Sequence, residues 1–211
     1  MARVAIIGGG GFAKEVIEVA QILGHEIVGI FARENSLPRY PHLGYLEEML
    51  TMRERFDGVH IAVGAVNRKG MENRRKILAF IRQHDIPMIS LVSPKADLGE
   101  GVTMGEGVYI GHRVLISCDA RIADAVLINQ GAVIGHDCRI EENVSIAPLV
   151  FLGGNVTVGS DTMIGVRATL RQGLSVGASC LVGMGSIVIK NLKAGSTTLQ
   201  MPSKIYGPSD G

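Results

Sequence analysis

The sequence of 211 residues predicts a short α/β segment followed by a parallel β-helix built from hexapeptide repeats. Three observations lead to this prediction. Aliphatic residues recur at every sixth position from Val92 to Val188 without a missed step, and this period is neither helical nor a plain strand alternation. The residue after each of them is usually small. Before residue 91, strand-like segments alternate with helical ones, which indicates a parallel α/β sheet.

Residues 1–90 are predicted to form the α/β part. Residues 3–7, 26–31 and 59–63 have the apolar, β-branched composition of short buried strands. Residues 12–23 and 68–84 carry apolar side chains at helical spacing. This part is about half of a doubly wound dinucleotide-binding domain, in which ligands bind outside the C-terminal ends of the strands.

Residues 91–192 are predicted to form the β-helix. Three hexapeptides close one triangular coil, so residues eighteen apart stack, and stacked coils bury a continuous aliphatic column. The glycines are expected where the corners need a positive φ or a close backbone approach. Residues 193–211, which contain Pro202 and Pro208, are predicted to be irregular and to cover the open apolar end of the last coil.

The composition disfavours several classes of function. Twenty-one Lys and Arg against 20 Asp and Glu give a net charge of +1, so neither nucleic-acid binding nor electrostatic membrane docking is expected. There is no apolar run long enough for a transmembrane helix and no secretory pattern at the N-terminus. The three cysteines form no CxxC pair. Cys138 and Cys180 fall on the small apolar row of the repeat and are predicted to be buried, and reduced thiols fit the cytoplasm.

A glycine loop at the first strand-to-helix junction indicates phosphate binding. Gly8 and Gly10 with Ala13 form the pattern GxGxxA, in which the backbone approaches an anion at a helix N-terminus. The same loop also fits a tight turn without a ligand. An NAD site would need an acidic residue at the end of the second strand, where this chain has Ala32 and Arg33. A mononucleotide or a nucleotide-sugar fits the size better, and Gly64 after the third strand is expected to face the same crevice.

One histidine of the repeat is a candidate general base. One coil away from His136 lie Cys118 and Gly154, and the missing side chain at Gly154 is expected to let a substrate pass the imidazole. Asp137 is placed to hydrogen-bond one ring nitrogen and fix the tautomer. A surface histidine without function is the alternative interpretation. Because His112 is the only other histidine of the repeat, a zinc site of three histidines is not expected.

These motifs resemble a known family. Residues 6–16 (IIGGGGFAKEV), 61–64 (IAVG), 91–94 (LVSP) and 128–138 (INQGAVIGHDC) are similar to the bacterial left-handed β-helix acyltransferases that acetylate nucleotide-activated amino sugars. The most similar members are the UDP-4-amino-sugar (bacillosamine-type) N-acetyltransferases, and sialic acid O-acetyltransferases belong to the same group. The last segment is specific, whereas hexapeptides alone would indicate only the superfamily.

The resemblance implies a cytoplasmic homotrimer with a left-handed coil, active sites between adjacent β-helices, acetyl-CoA as co-substrate and no metal. It implies that His136 is the catalytic base and Asp137 its acidic neighbour. The implied nucleotide-sugar contacts are Gly8, Gly10, Gly11, Phe12, Arg33 and Gly64, and the implied acetyl-CoA contacts are Ser145, Gly154, Val166, Met184 and Lys190.

The chain departs from the family pattern at three places. Residues 145–149 read SIAPL instead of His-Ile-Ala-Pro-Gly, so Ser145 replaces a histidine that binds acetyl-CoA. Ala32 and Arg33 replace an acidic pair, which makes GDP- or dTDP-sugars credible beside UDP-sugars. The usual Gly-Asn-Pro-Ala-Lys tail reads QMPSK at residues 200–204, and Pro202 and Lys204 keep its frame.

The hypothesis from the sequence is an acetyl-CoA-dependent N-acetyltransferase for surface glycan synthesis. It acts on the amino group of a nucleotide-linked 4-amino-deoxysugar, by direct transfer with His136 as general base. One alternative is a sialic acid O-acetyltransferase, and another is a non-catalytic trimeric scaffold that binds nucleotide-sugars. A nicotinamide-dependent enzyme is disfavoured by Ala32 and Arg33.

Overall fold

The first part of the chain is a three-stranded parallel sheet flanked by helices. In a computed structural model, which describes residues 1–34 and 37–200, the sheet has the order β2-β1-β3. Its strands are β1 (Arg3–Ile7), β2 (Glu26–Phe31) and β3 (Gly58–Ile61), and the helices are α1 (Gly11–Ile22), α2 (Glu48–Thr51) and α3 (Arg68–Gln83). A 3₁₀ turn at Arg53–Arg55 follows α2. The five elements expected from the sequence are present, whereas α2 and the 3₁₀ turn were not anticipated.

The second part is a parallel β-helix with three faces. Face 1 comprises β4 (Leu91–Val92), β7 (Tyr109–Ile110), β10 (Leu127–Ile128), β13 (Ser145–Ile146), β16 (Met163–Ile164), β19 (Leu181–Val182) and β21 (Thr197–Thr198). Face 2 comprises β5 (Asp97–Leu98), β8 (Leu115–Ile116), β11 (Val133–Ile134), β14 (Phe151–Leu152), β17 (Thr169–Leu170) and β20 (Ile187–Val188). Face 3 comprises β6 (Thr103–Met104), β9 (Arg121–Ile122), β12 (Arg139–Ile140), β15 (Thr157–Val158) and β18 (Ser175–Val176).

Each aliphatic residue of the six-residue ladder is the second residue of one of the strands β4 to β20. Its side chain points into the β-helix, and Ile134, Ile146 and Leu152 are completely buried there. Strands one coil apart pair in parallel, as Ile128 does with Ile146. The prediction of an α/β segment followed by a parallel β-helix is therefore confirmed.

The glycines and the positive φ angles fall on different positions of the repeat. A Cβ added to Gly165, which directly follows a ladder residue, would lie 2.6 Å from the backbone nitrogen of Met184 in the next coil. The left-handed conformation occurs two residues later in the repeat, where Asp137 has a φ of 57° and Asn143 a φ of 56°. Close approach therefore explains the glycines after the ladder, while the corners are made largely by other residues.

The chain after residue 192 continues the β-helix. Thr197 and Thr198 of β21 pair with Leu181 and Val182 of β19, so the beginning of the tail is regular, contrary to expectation. Residues 201–211, which include Pro202, Lys204 and Pro208, lie outside the described residues, and with them the predicted cover of the last coil. Cys138 and Cys180 are buried as predicted, and Cys118 is exposed.

The α/β part packs on face 1. The buried side chains of Leu91, Tyr109 and Leu127 join the apolar cluster that holds Val16 and Ile17 of α1. We call the edge between faces 1 and 2 corner 1–2, and name the other two edges in the same way. Helix α1 lies beside corner 1–2, where Gln130 Nε2 donates to Glu15 Oε2 at 2.7 Å.

Helix α3 lies beside corner 3–1, so the two helices flank face 1 from opposite sides. There Arg82 of α3 pairs with Asp124 at 2.9 Å and also with Glu142. Within residues 1–34 and 37–200, no segment covers face 2, which exposes apolar side chains, among them Leu115, Phe151 and Ile187, the last of which is 74% exposed.

Candidate active site

His136 stands at corner 2–3, directly after β11. The corner is held between neighbouring coils because the Asp137 amide donates to the Cys118 carbonyl at 3.1 Å and the Asn155 amide donates to the His136 carbonyl at 2.7 Å. The imidazole is 54% exposed, and its Nδ1 lies 2.7 Å from Oδ2 of Asp137. This side chain is therefore fixed at its base and open to solvent.

The hydrogen bond to Asp137 assigns the roles of the two ring nitrogens. An ionised carboxylate only accepts hydrogen bonds. Nδ1 therefore carries the ring hydrogen and donates a hydrogen bond to Asp137. The lone pair then lies on Nε2, the atom available to a substrate. Nε2 sits over Gly154, where an added Cβ would be 2.4 Å away. The imidazole itself therefore occupies the space that Gly154 leaves free.

A cavity of about 750 Å³ opens at the C-terminal ends of β1, β2 and β3. Gly8, Gly10, Arg33 and Val63 line it. The guanidinium of Arg33 lies 5.2 Å from the centre of the Tyr45 ring, which also lines the cavity. The opposite wall is formed by the first half of α3 and the residue before it. The side chains there are Asn67, Lys69, Asn73 and Lys76. Glycines, a cation stacked on an aromatic ring and two lysines suit a phosphorylated ligand with a planar base.

Three of the expected nucleotide-sugar contacts lie beside this cavity and do not line it. They are Gly11, Phe12 and Gly64. A Cβ on Gly64 would lie 3.6 Å from Cβ of Phe12, so the ends of β3 and α1 approach each other closely. The Phe12 ring packs edge-on against Tyr109 of face 1, with 5.2 Å between centroids. These residues therefore connect the cavity region with face 1 of the β-helix.

Of the residues expected to contact acetyl-CoA, all but Ser145 lie at one of two corners. Val166 and Met184, which are 40% and 73% exposed, stack one coil apart at corner 1–2. Lys190 is exposed and lies at corner 2–3, in the same column as His136 and Gly154. Ser145 lies on face 1 and is only 4% exposed, beneath the α/β part. Within one chain, the structure does not bring these two sets together.

Sequence reasoning missed two polar residues. Asn129, in the segment INQGAVIGHDC, has a buried Oδ1 without a hydrogen-bond partner in the described part of the chain. Arg74 is fully buried within α3. Its signal in the sequence was its place on the apolar stripe of the helix, between Met71 and Ile77, where a charged residue is unusual.

The remaining histidines add no reactive cluster. Burial lowers the pKa of His60 to about 4, and its Nδ1 lies 2.8 Å from the Ile89 carbonyl, so its ring is neutral. His112 is held by the Ser93 hydroxyl through Nδ1 at 2.5 Å. Among residues 1–34 and 37–200, no three His, Cys, Asp or Glu side chains gather as metal ligands would. The helices described there are also too short or too polar to cross a membrane.

Two sequence families match the chain. Residues 3–77 match the PglD N-terminal domain, and residues 119–154 match the bacterial transferase hexapeptide (six repeats). No curated protein matches it. Among solved structures, a histidine-to-asparagine variant of perosamine N-acetyltransferase from Caulobacter crescentus, in complex with CoA and GDP-perosamine, is 32% identical with a TM-score of 0.85, and the match covers 97% of each chain.

Two further solved structures are similar over most of the chain. The acetyltransferase domain of PglB from Neisseria gonorrhoeae, in complex with acetyl coenzyme A, is 26% identical with a TM-score of 0.82, over 92% of this chain and 94% of that one. WeeI from Acinetobacter baumannii is 24% identical with a TM-score of 0.80, over 97% of this chain and 99% of that one. This last similarity concerns the fold.

Proposed function

The chain belongs to the hexapeptide-repeat, left-handed β-helix N-acetyltransferases of nucleotide-linked amino sugars, and from this premise we propose that His136 is the general base of an acetyl transfer from acetyl-CoA to a 4-amino-deoxysugar. As a member of this family, the protein is an acyltransferase that uses acetyl-CoA, as the sequence predicted. The observation that carries the proposed base is the half-exposed imidazole, whose Nδ1 is held by Asp137 and whose Nε2 has no hydrogen-bond partner within residues 1–34 and 37–200.

The proposed reaction needs no covalent intermediate on the protein. The sugar amine attacks the thioester carbonyl, and Nε2 of His136 takes the amine proton as the C–N bond forms. The tetrahedral centre then collapses, the C–S bond breaks, and the imidazolium returns the proton to the leaving thiolate of CoA. Asp137 stabilises the imidazolium through Nδ1. Cys138 is not a nucleophile in this scheme, because burial raises the pKa of its thiol and keeps it protonated.

We place the nucleotide in the cavity at the strand ends and favour GDP over the UDP expected from the sequence. The Caulobacter relative was crystallised with GDP-perosamine. In this chain, Ala32 and Arg33 stand where the UDP-sugar enzymes are expected to have an acidic pair. The stacked Arg33 and Tyr45 side chains offer a planar surface to a base, and a purine gains more contact area on such a surface than a pyrimidine.

A panel of acceptors tests the substrate. Release of the CoA thiol is followed with UDP-, GDP- and dTDP-linked 4-amino-4,6-dideoxysugars and with a sialic acid. We expect the GDP-sugar to give the highest kcat/KM, at least about tenfold above the UDP-sugar, which is a difference of roughly 1.4 kcal/mol. Faster acetylation of the sialic acid would support the O-acetyltransferase alternative. Absence of acetyl-CoA binding in calorimetry would support the scaffold alternative.

We further propose a homotrimer with its active sites between chains. Of the expected contacts of acetyl-CoA, Val166 and Met184 lie at corner 1–2, and Gly154 and Lys190 lie at corner 2–3. These two corners flank the apolar face 2, whereas Ser145 lies on face 1. If face 2 of each chain packs around a three-fold axis, corner 2–3 with His136 of one chain meets corner 1–2 with Val166 and Met184 of the next. One closed ring thereby covers the exposed apolar side chains and completes the site.

Disrupting face 2 is therefore expected to abolish both assembly and activity. In the double variant Phe151→Asp, Ile187→Asp, charges replace two exposed apolar side chains, so we expect a monomer in light scattering. Because the substrates would no longer be held against His136, kcat/KM should fall by about 10²-fold or more. Ser175→Asp on face 3 is the matched control and should remain a trimer with normal activity. A monomeric Phe151→Asp, Ile187→Asp protein with wild-type activity would exclude an intersubunit site.

A further inference from the structure

Arg74 is a buried cation that contacts no carboxylate among the residues that the structure describes. It lies in α3 and is completely inaccessible to solvent. Its Nε donates to Oδ1 of Asn143 at 3.1 Å, and Nδ2 of Asn143 donates to Oδ1 of Asp161 at 2.8 Å. The nearest negative charge along these hydrogen bonds is therefore the carboxylate of Asp161, which is linked to Arg74 through Asn143. Burial lowers the pKa of Arg74 to about 10, so the guanidinium remains charged near neutral pH.

The other hydrogen bonds of Arg74 end on backbone carbonyls from two parts of the molecule. Nη1 donates to the Val63 carbonyl at 2.9 Å and makes a longer bond of 3.4 Å to the Ile61 carbonyl. Nη2 donates to the Ala125 carbonyl at 2.6 Å. Ile61 and Val63 are at the end of β3, whereas Ala125 and Asn143 belong to corner 3–1 of the β-helix. One guanidinium thus joins the strand end and the β-helix.

Two of the three segments that meet at Arg74, the end of β3 and helix α3, are walls of the nucleotide cavity, whereas corner 3–1 lies outside it. Val63 lines the cavity, and so do Asn73 and Lys76, which are neighbours of Arg74 on α3. A shift of the guanidinium would move the end of β3, α3 and corner 3–1 relative to one another. The four partners of Arg74 therefore link two walls of the cavity to the β-helix.

Two other arginines of α3, Arg68 and Arg82, also reach the β-helix, but none of their hydrogen bonds within the described residues goes to β3. Arg68 donates to the carbonyls of Ser179 and Gly195 at 3.0 and 2.8 Å. Arg82 pairs with Asp124 and Glu142 and is 46% exposed. These hydrogen bonds join α3 to the β-helix and leave the strand end out. Exposed ion pairs of this kind also contribute little to stability.

We propose that Arg74 is a positioning residue that sets the nucleotide cavity against the β-helix and so places the sugar amine for acetyl transfer. This inference rests on the proposed function. Arg74 acts through the carbonyl of Val63 and through α3, and it does not touch the substrate. The planar fork of a guanidinium serves separate acceptors in fixed directions, which the ammonium group of lysine does not reproduce.

The test compares Arg74→Lys with Arg82→Gln, which removes ion pairs from the same helix and the same junction. We expect Arg74→Lys to lower kcat/KM for the nucleotide-sugar by about tenfold or more while the Kd of CoA changes less than twofold. A small displacement of substrate is sufficient for a loss of this size. Arg82→Gln should leave both constants unchanged. A lower melting temperature of Arg74→Lys with unchanged kcat/KM would reduce Arg74 to a purely structural role.

Hydrogen exchange separates this inference from the proposed function. Amides of residues 61–67 should exchange faster in Arg74→Lys than in the wild type, and at the wild-type rate in Arg82→Gln. This readout does not depend on turnover, so it holds even if no amino sugar is acetylated. Unchanged exchange of residues 61–67 in Arg74→Lys would overturn the proposal. If Arg74→Lys does not fold, Asn143→Gly, which tolerates the positive φ at this position and removes the partner of Nε together with the hydrogen bond to Asp161, should show the same changes at a smaller size.

Discussion

Replacing His136 by alanine lowers kcat by about 10²- to 10⁴-fold, the usual contribution of a general base, and leaves both substrates bound. This is the expected result because the side chain is half exposed and its hydrogen bond goes to Asp137, on the same corner. In the neighbouring coil the imidazole lies over Gly154, which has no side chain to lose support. Removing the imidazole therefore removes the proton acceptor and little else.

Kinetics and calorimetry together check this prediction. Thiol release gives kcat, and titration with CoA and with the nucleotide-sugar gives the two dissociation constants. His84→Ala is the control, because His84 lies at the end of α3 and packs on Phe80 at 4.6 Å, away from corner 2–3. Asp137→Asn should have a smaller effect than His136→Ala, since an amide oxygen still accepts from Nδ1 but carries no charge. A kcat of His136→Ala within about tenfold of the wild type would refute the assigned base.

The sequence predicted the architecture well because every ladder residue obeys one physical constraint. A side chain such as Ile134 or Ile146 must be apolar to lie in the column, and the period of six follows from the coil. The helices α1 and α3 were likewise visible from their apolar stripes. The helix α2 was missed because four residues are too few to show a period. Arg74 was missed because its partners are mostly backbone carbonyls, which leave no pattern in the sequence.

The candidate site was only partly predictable. Spacing placed His136 and Gly154 one coil apart, and the structure has them at one corner. The resemblance implied that Val166, Met184 and Lys190 contact acetyl-CoA, but it did not show that Val166 and Met184 lie at the opposite corner of face 2 from Lys190. Nor does a missing side chain reveal what fills its space. The gap over Gly154 was expected to admit a substrate, and it holds the imidazole of His136.

Because the His136 imidazole lies directly over Gly154, the substitution Gly154→Ala is expected to have the second large effect on catalysis. The φ angle of Gly154 is not positive, so the backbone there accepts alanine. Its Cβ, however, would stand 2.4 Å from Nε2 of His136, which is too close for any real contact. The imidazole must swing away, and either the hydrogen bond to Asp137 or the position of Nε2 is lost. Since a misplacement of about 1 Å can cost 10²-fold, we expect kcat to fall by about 10²-fold with little loss of stability.

A double variant decides whether Gly154→Ala acts through the imidazole. If the methyl group only displaces His136, then Gly154→Ala combined with His136→Ala should be no slower than His136→Ala alone, because the displaced group is already absent. If Gly154 instead contacts acetyl-CoA directly, the two losses should multiply and the Kd of CoA should rise in Gly154→Ala. Equal kcat values for the double variant and His136→Ala, with unchanged CoA binding, would assign Gly154 to the placement of the base. If the kcat losses of the two single variants multiply in the double variant, Gly154 instead binds the co-substrate.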